Sequence, residues 1–278
     1  MSESRIETAL LPGVVSVVAG GSSGIGRSVV ERFAENGSTV EFMSVDASGV
    51  DEVQSALRAR GLNVRGSIVD AADPSQVRAY MNEIDERHGK IGVLVNSVGI
   101  QRYGTVESTS VETWNEVLNV NLRSMFLLSK YAVPLLRRNG GGAIVNVSSG
   151  QAVASQRNVV AYTASKGAIV AMTRAMAMDH SGENIRVNSV CPGSVDTPML
   201  RASASDVDPS NPDRVIAEWG SHHPIGHVGQ PREIADAILF LASPLASFVT
   251  GADLRVDGGV LASAAMSAPE RSSDDRAS

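Results

Sequence analysis

Short apolar, β-branched runs recur along the chain at residues 14–18, 39–45, 64–69, 92–96, 143–148, 185–190 and 253–256, and helical apolar spacing fills the stretches between them. Runs this short with apolar residues on both alternating positions read as strands buried on both faces, the signature of a parallel sheet covered by helices. Strand–helix alternation of this kind predicts one α/β fold, a Rossmann-type doubly wound parallel sheet of about seven strands with helices on both faces. No linker long enough to divide the chain interrupts it. The expected organisation is an N-terminal extension over residues 1–12, a single Rossmann-type domain over 13–262 and a polar, disordered tail over 263–278. Long helices are expected near 111–138 and 159–180, and residues 198–224, rich in proline and small polar residues, read as a substrate loop with one short helix.

Composition narrows the class. At 43% hydrophobic residues the chain can bury a full core. With 24 Lys and Arg against 30 Asp and Glu the net charge is −6, and no basic run stands out, so neither nucleic acid nor an anionic membrane is the expected partner. The single cysteine, Cys191, has no internal disulfide partner. No apolar run approaches the ~18 residues of a membrane span, and residues 1–12 lack a basic-then-apolar leader, so the expected location is the cytoplasm. His222, His223 and His227 have no acidic or cysteine ligand spaced with them, which argues for a place in the substrate loop and against a metal.

Directly after the first strand stands Ala19-Gly20-Gly21-Ser22-Ser23-Gly24-Ile25-Gly26, followed by helical spacing over 27–35. A glycine-rich turn between strand and helix lets the backbone approach a pyrophosphate, whose charge meets free N–H groups and the positive helix end. The plain alternative is a tight strand-to-helix turn. The letters also fit a nucleophile elbow, but such an elbow follows a later, central strand.

Tyr162 and Lys166 are four residues apart and so share one face of the helix at 159–180. An ammonium beside a phenol favours the phenolate and is expected to lower its pKa from about 10, which suits proton exchange near neutral pH. A solvated surface pair is the alternative, although the chain has only three lysines in all. Ser148 and Ser149 end the strand at 143–148, where ligands of open α/β sheets bind, and there a serine can bond a substrate oxygen or merely cap a turn. Asn121 interrupts an apolar helix, where it must be satisfied as a structural hydrogen bonder or a holder of water.

Together with Asn96-Ser97-Val98-Gly99 and Pro192-Gly193-Ser194-Val195-Asp196-Thr197-Pro198, these motifs resemble those of the classical short-chain dehydrogenase/reductases, over about residues 14–259. The resemblance implies that Tyr162 is the general acid/base, that Ser149 orients and polarises the substrate carbonyl, and that Lys166 tunes Tyr162 and binds the nicotinamide ribose. It makes Asn121 the holder of a relay water. It assigns Gly20, Ser22, Ser23, Gly24, Ile25 and Gly26 to the pyrophosphate, Asp70 and Ala71 to the adenine, Asn96 and Gly99 to the cofactor's strand-end contacts, and Pro192, Val195 and Thr197 to the nicotinamide. Ala19 and Ser97-Val98 depart from the usual Thr and Asn-Ala of the family. The implied assembly is a homotetramer or homodimer.

After the second strand the chain reads Met43-Ser44-Val45-Asp46, and no Arg or Lys lies in this turn or in the glycine loop. Ser44 and Asp46 are the candidates to meet a free ribose 2′-OH, and an aspartate without a basic partner repels a 2′-phosphate, so NAD is favoured over NADP. The expected function is an NAD(P)-dependent oxidoreductase moving a hydride between nicotinamide and a secondary alcohol, sugar or polyol, or the matching ketone. A non-catalytic dinucleotide-binding redox sensor would keep the glycine loop and shed the proton-transfer residues, all four of which stand here. An isomerase or epimerase using bound NAD shares the Tyr/Lys chemistry, but such relatives carry a larger C-terminal substrate region.

Overall fold

The computed structural model of the chain describes residues 9–262. Seven parallel strands form one sheet in the order β3-β2-β1-β4-β5-β6-β7: β1 Val15–Ala19, β2 Thr39–Ser44, β3 Val64–Ile68, β4 Val93–Asn96, β5 Gly142–Val147, β6 Ile185–Pro192 and β7 Asp253–Val256. The order reverses between β1 and β4, and the crevice beyond the carboxyl ends of those two strands is where such a sheet binds ligands.

Each face of the sheet carries its own core. Val18, Phe42 and Val95 point to one side and pack with α1 (Gly24–Glu35), α2 (Ala47–Ala59) and, through Ile238 and Leu239, α9 (Pro231–Ala242). Val17, Met43 and Leu94 point to the other and pack with α3 (Pro74–His88), α5 (Ser124–Arg138) and α6 (Val160–His180). Successive residues of β1, β2 and β4 therefore feed opposite cores, which is why these strands read as continuous apolar runs. In the N-terminal extension, Leu11 is buried in the first of these cores. The tail expected at 263–278 lies outside the described residues.

Two expected elements differ. The long helix read at 111–138 is divided into α4 (Val111–Leu118), a wide π-type turn at Asn119–Arg123 and α5. One extra residue per turn accommodates Asn121, whose side chain is drawn out of the helix to bond Ile100. The loop read at 198–224 folds instead into two helices, α7 (Pro198–Val207) and α8 (Pro212–Ser221). Its prolines start helices: Thr197 caps the Leu200 N–H with Pro198 in the first turn, and Asn211 caps the Arg214 N–H with Pro212 in the first turn. Ala204, Val215, Ile216 and Val228 give this pair a small core of its own, separate from the sheet.

Candidate active site

A cleft of about 1110 Å³ opens over the carboxyl ends of the strands, walled on its far side by α7 and α8. Its floor comes from the last residue of β2, Ser44, and from the residue or two that follow five other strands: Gly20, Asp70, Ser97, Ser149 and Gly193.

The glycine loop enters α1 with its backbone close to the sheet. Gly20 has φ +80 and donates its N–H to the Met43 carbonyl at 2.9 Å, a conformation that disfavours any side chain. A Cβ on Gly26 would run into the Gly20 carbonyl oxygen. The N-cap Ser23 leaves its side chain out of the cap, so the first N–H groups of α1 face the cleft unmet by any side chain. Partial positive charge at that end suits an anion, and the missing Cβ atoms leave room for a pyrophosphate. Thr197 packs beside this loop, its Cγ2 3.2 Å from where a Cβ on Gly24 would stand.

At the other end, Ser149, Tyr162 and Lys166 converge on the cleft. Lys166 Nζ donates to the Val147 carbonyl at 3.0 Å and stands 5.4 Å from the centre of the Tyr162 ring. Burial pulls the Lys166 ammonium down to about 8. Burial also pushes the Tyr162 phenol up to about 12, against a downward pull from the Ser149 hydroxyl, while Tyr103 adds a further upward push. This differs from the expected lowering of the phenol: removing water from around the phenolate outweighs the pull of the Ser149 hydroxyl. A Cβ on Gly99 would reach within 3.5 Å of Lys166 Nζ and 3.6 Å of Asn121 Oδ1, so the glycine keeps this corner open.

Asn121 is fully buried. Ile100 N–H donates to its Oδ1 at 2.7 Å, while its Nδ2 donates to the Ile100 carbonyl and to Ser165 Oγ, each at 3.0 Å. Ser165 in turn donates to the Tyr162 carbonyl at 2.7 Å, so Asn121 pins the turn of α6 that carries Tyr162. Both its amide hydrogens are spent, and one acceptor position on Oδ1 remains.

Most of the residues expected from the sequence meet in the cleft: Ser22, Ser23, Gly24, Ile25, Ser44, Asp70, Ala71, Gly99, Pro192, Val195 and Thr197 line it together with Gly20, Gly26, Ser149, Tyr162 and Lys166. Three do not, the fully buried Asn121 being the first. Asn96 is fully buried beneath the floor, where its Nδ2 donates to Asn146 Oδ1 at 2.8 Å and Asn146 donates on to Thr173 Oγ1 at 2.9 Å, so it ties β4 to β5 and does not face the cofactor's side. Asp46 is absent from the wall. It stands at the N-cap of α2 and accepts the Ser48 hydroxyl at 2.8 Å, a bond that holds its carboxylate below the usual range. The wall position belongs to Ser44, which accepts from Ser22 Oγ at 2.8 Å and from the Asp46 N–H at 3.2 Å.

Further wall residues come from segments without a motif. Tyr103, on the loop after β4, donates to Ser203 Oγ of α7 at 2.9 Å across the cleft. His223 accepts the Ser194 N–H at Nε2 (3.1 Å), which leaves Nδ1 to donate to the Trp219 carbonyl (3.0 Å). The spacing 199, 200, 203, 206, 207 marks one helix face and was the available signal. Among the described residues no group of His, Cys, Asp or Glu could hold a metal ion, and no helix is long and apolar enough to cross a membrane.

Comparison with known proteins agrees with this geometry. A family model described as enoyl-(acyl carrier protein) reductase matches residues 19–261. The meso-2,3-butanediol dehydrogenase of Serratia marcescens is 35% identical over 90% of this chain and 95% of its own length. The aldohexose dehydrogenase of Thermoplasma acidophilum superposes with a TM-score of 0.87 at 38% identity, covering 95% of this chain and 100% of that one. The L-sorbose reductase of Gluconobacter frateurii, solved with NADPH and L-sorbose, gives 0.88 at 28% identity over 92% of this chain and 100% of that one. With its seven-stranded sheet, its glycine loop and these relatives, the chain belongs to the short-chain dehydrogenase/reductase family, NAD(P)-dependent oxidoreductases acting on CH–OH groups.

Proposed function

We propose that this cleft interconverts a secondary alcohol, sugar or polyol and the matching ketone, with Tyr162 as the general acid/base. The observation that supports the reading most is the convergence of Ser149, Tyr162 and Lys166 at one end of a cleft whose other end is the glycine loop. A bound nicotinamide dinucleotide supplies the hydride acceptor or donor and, when oxidised, a positive charge. Its fit rests on the cradle kept open at Gly20 and Gly26 and on the uncapped start of α1. Asp70 and Ala71 flank the adenine, while Thr197 and the backbone around Pro192 and Val195 hold the nicotinamide end. Ser149 donates to the substrate oxygen and fixes it, and Tyr162 Oη exchanges a proton with that oxygen. Lys166 holds a positive charge facing the phenolate and reaches the ribose. Asn121 offers its remaining acceptor position to a water of the relay.

NAD is the favoured cofactor, because no Arg or Lys lines the cleft at the adenine end, where Ser22, Ser44 and Asp70 stand. The relative solved with NADPH keeps NADP as the second choice. Exposed Phe126 on α5 and Met178 on α6 suit a homotetramer or homodimer. A single buried cysteine with no disulfide suits the reducing cytoplasm. Calorimetric titration of both cofactors, followed by absorbance at 340 nm across a panel of secondary alcohols, sugars and polyols, tests the reading. Turnover with NAD is expected. Tight cofactor binding with no turnover across the panel would favour the redox sensor or the bound-cofactor isomerase.

A further inference from the structure

On α7 the residues that face the cleft are Met199, Leu200, Ser203, Asp206 and Val207, an apolar stripe with two polar groups at its centre. Ser203 is fixed at one of them, accepting the Tyr103 hydroxyl and donating to the Met199 carbonyl at 3.1 Å. Tyr103 and Tyr162 line the same cleft, so the bond from Tyr103 ties this part of α7 to the space that Tyr162 faces. Asp206 lies three residues on, about 5 Å further along the same face.

The acids of this region are otherwise neutralised. Asp196 and Asp213 pair with Arg201, and Asp208 and Glu218 pair with Arg214. Asp206 has neither an ion pair nor a side-chain hydrogen bond among the described residues, and it faces the cleft. Lys166 is the only Lys or Arg in the lining, and its bond to the Val147 carbonyl holds its Nζ at the cleft floor, away from α7. Gln151, Gln156 and His222 complete the polar part of that wall. The outer half of the substrate space thus holds a free carboxylate beside two amides and an imidazole, with no arginine or lysine to receive an anion.

From this arrangement we infer that Asp206 is a specificity-determining residue: the substrate's far end is uncharged and hydroxyl-bearing, and the carboxylate accepts hydroxyl hydrogens from it and turns away carboxylates, phosphates and phosphopantetheine-linked acyl groups. The inference rests on the alcohol-oxidoreductase reading above. The balance of attraction and repulsion sets the selection, since a neutral polyol loses little against Asp206 while an anion of the same shape meets a like charge.

The test uses matched pairs that differ in one terminal group, D-glucitol against D-gluconate and butane-1,3-diol against 3-hydroxybutyrate, with kcat and KM measured in the wild type, Asp206→Asn and Asp206→Lys. The neutral member of each pair is expected to have the higher kcat/KM in the wild type. The preference should be larger for the six-carbon pair and should shrink on raising NaCl to 0.5 M, because screening weakens an exposed charge. Asp206→Asn should reduce it by about fivefold through KM, the size of an exposed charge interaction, and Asp206→Lys should abolish or invert it. Anionic members used as well as neutral ones by the wild type, or a ratio that neither variant moves, would overturn the inference while leaving the oxidoreductase reading intact. No turnover of any member by the wild type, with cofactor bound, would instead remove the reading on which it rests.

Discussion

Lys166 Nζ stands 5.4 Å from the centre of the Tyr162 ring, in a site where burial lowers the ammonium to about 8 and raises the phenol to about 12. Burial penalises the charged form of each, so the ammonium gives up its proton more readily and the phenol holds its proton more firmly. The cost to stability follows from the sign of each shift. Between about 8 and 10.5 the unfolded chain binds a proton at Lys166 that the folded chain has released, so stability rises with pH across that window. Tyr162 has the opposite slope: from 10 to about 12 the folded chain keeps a proton that the unfolded chain loses, and stability falls.

Lys166→Met is therefore expected to stabilise the fold at pH 7 while abolishing turnover. A shift from 10.5 to about 8 corresponds to at most ~3 kcal/mol, so a gain of about 1–3 kcal/mol is expected at pH 7, shrinking as pH approaches 10. Urea unfolding of both proteins at pH 7, 8, 9 and 10 measures it. A gap that stays constant with pH would mean that the ammonium is not the source.

Tyr162→Phe removes one hydroxyl from a ring that stays buried in the same place. If that hydroxyl carries the proton, kcat should fall by roughly 10²–10⁴ while cofactor affinity stays within about threefold. Stopped turnover and a preserved calorimetric titration are the expected pair of results; retained turnover would move the acid/base role elsewhere.

Asn146 both accepts from Asn96 and donates to Thr173 in a fully buried amide ladder. Asn146→Ala would leave Asn96 Nδ2 with only its long 3.4 Å bond to Ser129 Oγ and strand Thr173 Oγ1 away from water, at about 1–3 kcal/mol for each buried bond lost. Chemical denaturation should show a loss of about 2–4 kcal/mol. Cofactor affinity should change little once the fold is held, which separates this ladder from the cleft above it.

Much of this was legible in the chain. The five inner strands β2, β1, β4, β5 and β6 followed from apolar runs because they are covered on both faces, while the edge strands β3 and β7 are partly exposed; the glycine loop and the Tyr162–Lys166 pair carry their chemistry in local spacing. What stayed hidden depended on direction. Asn96 and Asp46 are polar residues at strand ends, and only the pleat and the start of α2 decide that one points into the sheet and the other away from the cleft. Helices α7 and α8 were hidden by their prolines, which end a helix inside its pattern but start one in its first turn. Tyr103 and Asp206 come from segments far apart in sequence, and only folding brings them to one wall.

Cofactor choice turns on Ser44, because its side chain lines the cleft whereas that of Asp46 is engaged with Ser48. Ser44→Arg alone should place a guanidinium where a ribose 2′-phosphate would lie. A charge-assisted hydrogen bond of about 1.5–3 kcal/mol would shift the NADP/NAD ratio of kcat/KM roughly 10- to 100-fold toward NADP. Part of that gain is offset, since Ser44 gives up its bonds with Ser22 and the Asp46 N–H. Asp46→Ser, by contrast, should leave the cofactor ratio within about twofold and act on the start of α2, where serine caps nearly as well as aspartate. Steady-state kinetics with both cofactors on the two variants separates the positions. If Asp46→Ser moves the ratio and Ser44→Arg does not, the ribose contact belongs to the aspartate and its side chain must turn into the cleft when the dinucleotide binds.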